Sequence, residues 1–564
     1  MPNSSSAIAL QSHNIDEYLE YRFLLGVKFK NQRTVWFLFV AGLLILGAYL
    51  RLEQFWLNRS LWLDEAFIAS QIARGDWSSF FDLPMEYSHF VPPMFAVMGK
   101  LFVAIFGDND LSLRIYPQLC SLLSLLLFYG LTRRLLTPWA VLISLFLFAI
   151  APTLIFHASN LKQYSGDVMF TLVLLLALTY LPDNDQPDFD VSLLLFALLG
   201  VIVLWFSHPS LFILASIGSY LGGYYLYRKN WYTALKILLV GIVWIASFAV
   251  LYFVINGGDA RESSPIAAWL FKFWNVYHTA FFPGLTQEGF LWIKDTFLLF
   301  FRTAGFRSPL FLIVLTVLGM LVLLIRQKQL LLLLVLPLFI TLLASYMERY
   351  VFYGRLILFI LPFAFIFIGI GVTQIASLSG LWQDTDKPYF NFCISLILLI
   401  SLLLASVRFP LGKTIKIQEA KPALQYLQTH QQKQDKLYIY YWSDPAFHYY
   451  APFYGFDYSS CGHIIAPETP KNDFKEVDFY WSQKTNLLIE NIEETRCILG
   501  FSEGLKAAAP ELKLLDGHGR VWLLFTHISE RNRQEFLDYI AKFSTLLEQK
   551  TYPGSGLYLY DMGE

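Results

Sequence analysis

Long apolar runs separated by short polar stretches recur through the first 407 residues and then stop. A helix that crosses a bilayer needs roughly 20 mainly apolar residues, because it rises ~1.5 Å per residue through a hydrocarbon core ~30 Å thick. Eleven runs fit, at about 35–52, 113–132, 138–156, 167–181, 191–207, 209–227, 234–255, 309–325, 330–346, 351–373 and 390–407. A twelfth, 91–106, is short and opens on Pro92-Pro93. Residues 1–34 are polar and place Arg22, Lys28, Lys30 and Arg33 ahead of the first run, with no small-residue cleavage site after it. That pattern reads as a signal anchor that stays in the membrane.

Basic residues orient the runs, since Lys and Arg are retained on the cytoplasmic side. The N-terminal cluster puts residue 34 inside and residue 53 outside. Arg133-Arg134 belongs inside, which holds only if 91–106 does not cross. Arg228-Lys229 and Arg326-Gln-Lys328 then fall inside without conflict. The same parity places four segments outside: the first loop 53–112, the junction from His157 to Asp167, the loop 256–308, and everything after 408. Trp56, Trp62, Trp77 and Tyr87 in the first loop suit the headgroup layer.

Beyond 408 the periodicity changes. Lys436 to Trp442, Val521 to Phe525 and Gly556 to Tyr560 read as strands, and 419–433 and 530–549 as amphipathic helices. Strands interleaved with helices predict a small α/β domain. The expected architecture is an α-helical polytopic membrane protein of about eleven transmembrane helices, with a C-terminal extracytoplasmic α/β domain. Its parts are a cytoplasmic segment 1–34, a membrane domain 35–407 and a soluble domain 408–564.

Composition agrees. Of 564 residues, 56% are apolar and 15% charged, against about 25% charged in a soluble domain. A net charge of −1 suggests no nucleic-acid partner. The four cysteines form neither a CxxC pair nor a zinc spacing. Cys461 and Cys497 both fall in the outside domain, where a disulfide is permitted, with two separate buried thiols as the other reading. Cys120 and Cys393 lie in spans.

Ionisable residues at the edge of a membrane bundle are costly to keep, which makes them functional candidates. Asp64 and Glu65 stand side by side in Leu61-Trp62-Leu63-Asp64-Glu65, about ten residues past the first span; Asp64 also stands where a helix N-cap would. His89 precedes the Pro pair, at a bend into the membrane or in the headgroup layer. Lys162, Tyr164 and Asp167 gather at the outer end of another span, where Asp167 again suits a cap. Arg349, Tyr350 and Arg355 gather at a further outer helix end, against the usual charge bias. An Arg fork there suits one bound phosphate or anionic headgroups in general. The 256–308 loop adds Arg261, Lys272, His278 and Lys294 and has the length of a lid.

The motifs in order are LWLDEA (61–66), SHFVPP (88–93), FGDNDLSLR (106–114), the acid at 167 and ERYVFYGRLILFILP (348–362). That order resembles the GT-C superfamily of membrane glycosyltransferases, nearest to the protein O-mannosyltransferases and the lipid A aminoarabinose transferases. The resemblance covers roughly 35–370, and the tail is similar to the extracytoplasmic domains of bacterial members. It implies a sugar donor on a polyprenyl phosphate in the outer leaflet of the cytoplasmic membrane, and a lipid, glycan or protein acceptor. It implies Asp64 as catalytic base beside Glu65, Asp167 as the second acid, and Arg349 and Arg355 near the lipid phosphate. His89, Lys162, Tyr164 and Tyr350 are further substrate-binding candidates. A divalent cation, Mg or Mn, held by Asp64 and Asp167 is left open.

Two other classes compete. A transporter or flippase for a lipid-linked anion needs charges near the bilayer midplane and often paired repeats, whereas here the charges sit at outer helix ends. A structural scaffold leaves the outside acid pair and the outside Arg pair without a task.

Overall fold

The protein was studied as a computed structural model, which describes residues 32–80, 91–184, 186–255, 272–277, 279–378, 401, 416–463, 492, 495–500 and 504–563. The chain is a multi-pass membrane protein. Among the described residues seven helices are long and apolar enough to cross a bilayer, or eight if one bent pair counts as a span. They include α1 (Gln32–Trp56), α4 (Asp110–Leu135) and α8 (Phe189–Phe206), with α2 (Leu63–Arg74) and α3 (Pro93–Phe106) between the first two. The expected span at 167–181 is the shorter helix α7 (Tyr164–Leu178), and that at 209–227 is α9 (Ser210–Tyr227). The expected span at 390–407 lies, but for residue 401, outside the described residues. The run at 91–106 forms the 14-residue helix α3, about 21 Å long at ~1.5 Å per residue and too short to cross.

The bent pair is α5 (Pro138–Ile150) and α6 (Pro152–Ala158), which meet at 52°. Pro152 has no N–H to give the Phe148 carbonyl, so the helix breaks there. Hydrocarbon supplies no water to satisfy the freed carbonyls, so a side chain must. Arg51 of α1 does it, donating to Phe148 O at 3.0 Å and Ala149 O at 2.9 Å while fully buried. The break carries the chain sideways into the His157–Tyr164 junction.

Later helices α12 (Pro309–Arg326) and α14 (Leu361–Leu378) pack at close range. A Cβ on Gly319 would lie 2.0 Å from the Phe367 carbonyl oxygen, so only glycine allows this approach. The loop predicted at 256–308 contains a helix of its own, α11 (Gln287–Thr303).

The tail folds into a six-stranded sheet. In chain order its strands are β1 (Lys436–Ile439), β2 (Cys461–His463), β3 (Cys497–Leu499), β4 (Arg520–Thr526), β5 (Thr545–Tyr552) and β6 (Ser555–Asp561). The spatial order is β2-β3-β1-β4-β6-β5, parallel from β2 to β4, with β6 and β5 antiparallel at the end. Cys461 and Cys497 face each other across β2 and β3 with 4.5 Å between Cα atoms and form a disulfide, as one of the two sequence readings allowed. The helix expected at 530–549 ends at Ile540, and Thr545–Tyr552 is a strand. Pro553-Gly554, with Gly554 at φ +65°, turns that strand into β6. β5 is an exposed edge with a polar solvent face, which reads as an amphipathic helix from composition alone.

The tail is docked on the end of the bundle that carries the first loop. Tyr450 takes a hydrogen bond from Leu61 N at 2.8 Å and donates to Asp110 at 2.6 Å. Lys421 pairs with Asp110 at 2.8 Å. Arg74 of α2 donates to Tyr449 O at 2.8 Å.

Candidate active site

The first-loop acids sit on α2, whose opening N–H groups need acceptors from elsewhere. Leu63 N finds Gln418 Oε1 at 2.9 Å, and Trp62 N finds Glu65 at 3.2 Å. Glu65 turns into the protein. It accepts from Arg59 at 2.6 Å, from Arg114 at 2.8 and 3.0 Å, and from Leu161 N at 2.7 Å, with no exposed surface. Burial alone pushes its carboxyl up; Arg114 and Arg59 outweigh this and hold it at about 2. Every lone-pair direction of Glu65 is occupied, so it ties the first loop to the His157–Tyr164 junction. A carboxylate so engaged has no face for a substrate, which sets Glu65 apart from the Asp64 beside it in the expected catalytic set.

Asp64 precedes Glu65 by one position, about 100° around the helix, and faces a different side. It lines a cavity of about 560 Å³. Arg355 lines the same cavity and forms an ion pair with Asp64. The guanidinium lies over the rings of Trp62, at 5.2 Å, and Tyr164, at 5.8 Å. Phe156, His157, Trp274 and Tyr353 complete much of an aromatic wall. From the tail, Ile417 and His527 close the remaining side. The cavity thus joins a carboxylate, a guanidinium and stacking surfaces at the junction of membrane and soluble domains.

Residues 90–253 match the family model of dolichyl-phosphate-mannose-protein mannosyltransferases. No curated protein matches the chain by sequence. Among solved structures, ArnT from Cupriavidus metallidurans bound to undecaprenyl phosphate is similar with a TM-score of 0.52 at 11% identity, over 94% of this chain and 98% of that one. The chain has the GT-C membrane glycosyltransferase fold. The archaeal oligosaccharyltransferase AglB from Archaeoglobus fulgidus, in complex with an inhibitory peptide and a dolichol-phosphate, gives a TM-score of 0.47 at 13% identity, over 92% of this chain and 74% of that one.

Within this GT-C fold the other sequence candidates separate. Lys162 is buried close to Asp64 and Arg355, and burial lowers its pKa to about 8. Tyr164 stacks edge-on against His157 at 5.0 Å and lies under Arg355. Asp167, one turn further along α7, is buried and accepts from Ser207 at 2.7 Å. It is absent from the cavity wall, whereas Asp64 lines it. Tyr350 donates to Leu356 O at 2.7 Å and packs on Phe212, bracing the turn before Arg355. Arg349 is exposed and off the cavity that Arg355 lines. The two arginines diverge because a turn, with Gly354 at φ +51°, separates them. His89 lies outside the described residues.

The cation left open for Asp64 and Asp167 finds no group of three or more His, Cys, Asp or Glu among the described residues. The counter-charge described at Asp64 is the Arg355 guanidinium.

Sequence reasoning missed Arg59, Arg114, Gln418 and His527. Arg114 ends the FGDNDLSLR motif, which was noted without a role for its arginine. Gln418 and His527 carry no local signal, because only the docking of the tail brings them to α2.

Proposed function

We propose that the chain is an inverting glycosyltransferase that moves a sugar from a polyprenyl-phosphate-linked donor to an acceptor at the outer face of the cytoplasmic membrane. The observation that carries this reading is the Asp64–Arg355 pair on the wall of an aromatic cavity, within a GT-C fold. The ArnT structure, which holds undecaprenyl phosphate, supports a lipid phosphate as the donor's handle. The family match over 90–253 supports mannose or a related hexose, with a pentose as the variant to test. The transporter reading has no observation in its favour.

Transfer at an anomeric carbon asks for a base and a counter-charge. The acceptor hydroxyl gives its proton to Asp64 as its oxygen bonds to the anomeric carbon. The bond from that carbon to the phosphate oxygen breaks, and polyprenyl phosphate leaves with the electron pair. A positioned carboxylate contributes ~10²–10⁴-fold to such a step. Arg355 stabilises the departing phosphate, and buried Lys162, behind the cavity wall, adds positive charge near Asp64 and Arg355. A donor phosphate that draws Arg355 to itself also releases Asp64 to accept the proton. Trp62, Trp274 and Tyr353 line the cavity and offer faces on which a sugar ring stacks.

The outer-face assignment rests on the positive-inside parity and on the Cys461–Cys497 disulfide, which forms in oxidising compartments. The tail and the first loop meet at the same end of the bundle, so they share one side. The test is to incubate purified protein with undecaprenyl-phosphate-linked hexoses and pentoses plus envelope lipid, glycan and peptide acceptors. Sugar transfer or release by the native protein and not by Asp64→Asn is expected; silence with every donor would sink the reading.

A further inference from the structure

His527 follows β4 and adopts a left-handed backbone conformation, φ +53°. Residues with side chains rarely take this conformation, and where they do the surroundings hold them in it. Here Trp442 packs 6.2 Å from the ring and Gln418 bonds to Nδ1. Thr526 before it is buried, whereas His527 is exposed and lines the cavity.

The Gln418 amide settles which ring nitrogen carries the proton. A backbone N–H can only donate, and Leu63 N reaches Gln418 Oε1 at 2.9 Å. The amide NH₂ is therefore the end that meets the ring, and Nδ1 must accept. With Nδ1 accepting, the ring's one proton is on Nε2. Gln418 is itself buried and caps the helix that carries Asp64, so the tautomer and the acid's helix are fixed by one side chain.

We propose that His527 reads the sugar: its Nε2–H donates to a hydroxyl oxygen of the saccharide carried on the lipid phosphate. This rests on the donor reading above. The sugar is bonded directly to the phosphate, so a phosphate at Arg355 puts the sugar in the cavity that His527 lines. Asp64 can only accept there and Arg355 can only donate to the phosphate. His527 adds a neutral donor, preset in tautomer, from the opposite domain. It is a specificity-determining residue that the membrane domain alone does not supply.

The test separates sugar from lipid. Full-length Asp64→Asn protein in lipid nanodiscs removes turnover, and its affinity is measured for undecaprenyl phosphate and for undecaprenyl-phosphate mannose or a pentose analogue. The sugar-bearing lipid should bind more tightly. His527→Phe or His527→Ala should remove roughly 3- to 10-fold of that gain, as for one neutral hydrogen bond, and leave the bare lipid's affinity unchanged. His527→Gln, which keeps an N–H donor, should retain most of the gain. Two donor-less variants of different bulk guard against a folding failure in one. An equal loss for both lipids, or no loss for either, overturns the proposal. If neither lipid binds while His527 is intact, the polyprenyl-phosphate reading falls, and this proposal with it.

Discussion

Asp64 and Arg355 face each other across one wall of the cavity and form an ion pair, although 291 positions separate them in the chain. An acid held by the residue that would grip a phosphate is masked until the phosphate arrives. On the function proposed above, the pairing would link donor binding to release of the base.

Asp64→Asn keeps the side chain's shape and removes the base. Transfer should fall by ~10²–10⁴-fold, while donor affinity stays within a few-fold of native. Single-turnover rates and lipid binding on the same preparation check both. Near-native turnover would reduce Asp64 to a residue of the helix start.

Arg355→Lys keeps the charge but loses the planar fork and its stacking on Trp62 and Tyr164. Donor affinity and rate should both drop, whereas Arg349→Ala should leave both near native because Arg349 lies off the cavity. Equal defects from the two substitutions would contradict the geometry.

Glu65→Gln leaves Arg59 and Arg114 buried beside a neutral amide. Breaking a buried pair of this kind costs about 3–5 kcal/mol, so the thermal midpoint at pH 7 should fall clearly. The Glu65 carboxyl titrates near 2 in the folded protein against an ordinary 4.5. Its stabilisation is therefore present above pH 4.5 and lost as pH falls towards 2. The gap in midpoint between native and Glu65→Gln proteins should narrow over that window, and a gap independent of pH would argue against the ionised triad.

Removing the disulfide by Cys461→Ser with Cys497→Ser should destabilise the C-terminal domain by about 2–5 kcal/mol. In intact cells, an impermeant thiol reagent should label a cysteine placed at exposed Gln434 and spare one at exposed Gln186. Labelling at 186 with none at 434 would invert the topology.

The sequence by itself determined what depends on local pattern. Run length marked most of the long apolar helices found among the described residues and the short helix at 91–106, because the bilayer imposes one length on every span. The LWLDEA motif marked Asp64, and the strand pattern marked β1, β4 and β6. The edge strand β5 misread as helix because its partner, not its own periodicity, makes it a strand. Tertiary structure decided everything that rests on which way a side chain points and what comes to meet it. Asp64 and Glu65 are adjacent and chemically alike in sequence, yet a 100° turn sends one to the cavity and the other to Arg59 and Arg114. Arg349 and Arg355 look like a pair until the turn between them parts them. Gln418 and His527 reach α2 only through docking of a domain hundreds of residues away, a contact that no local spacing encodes.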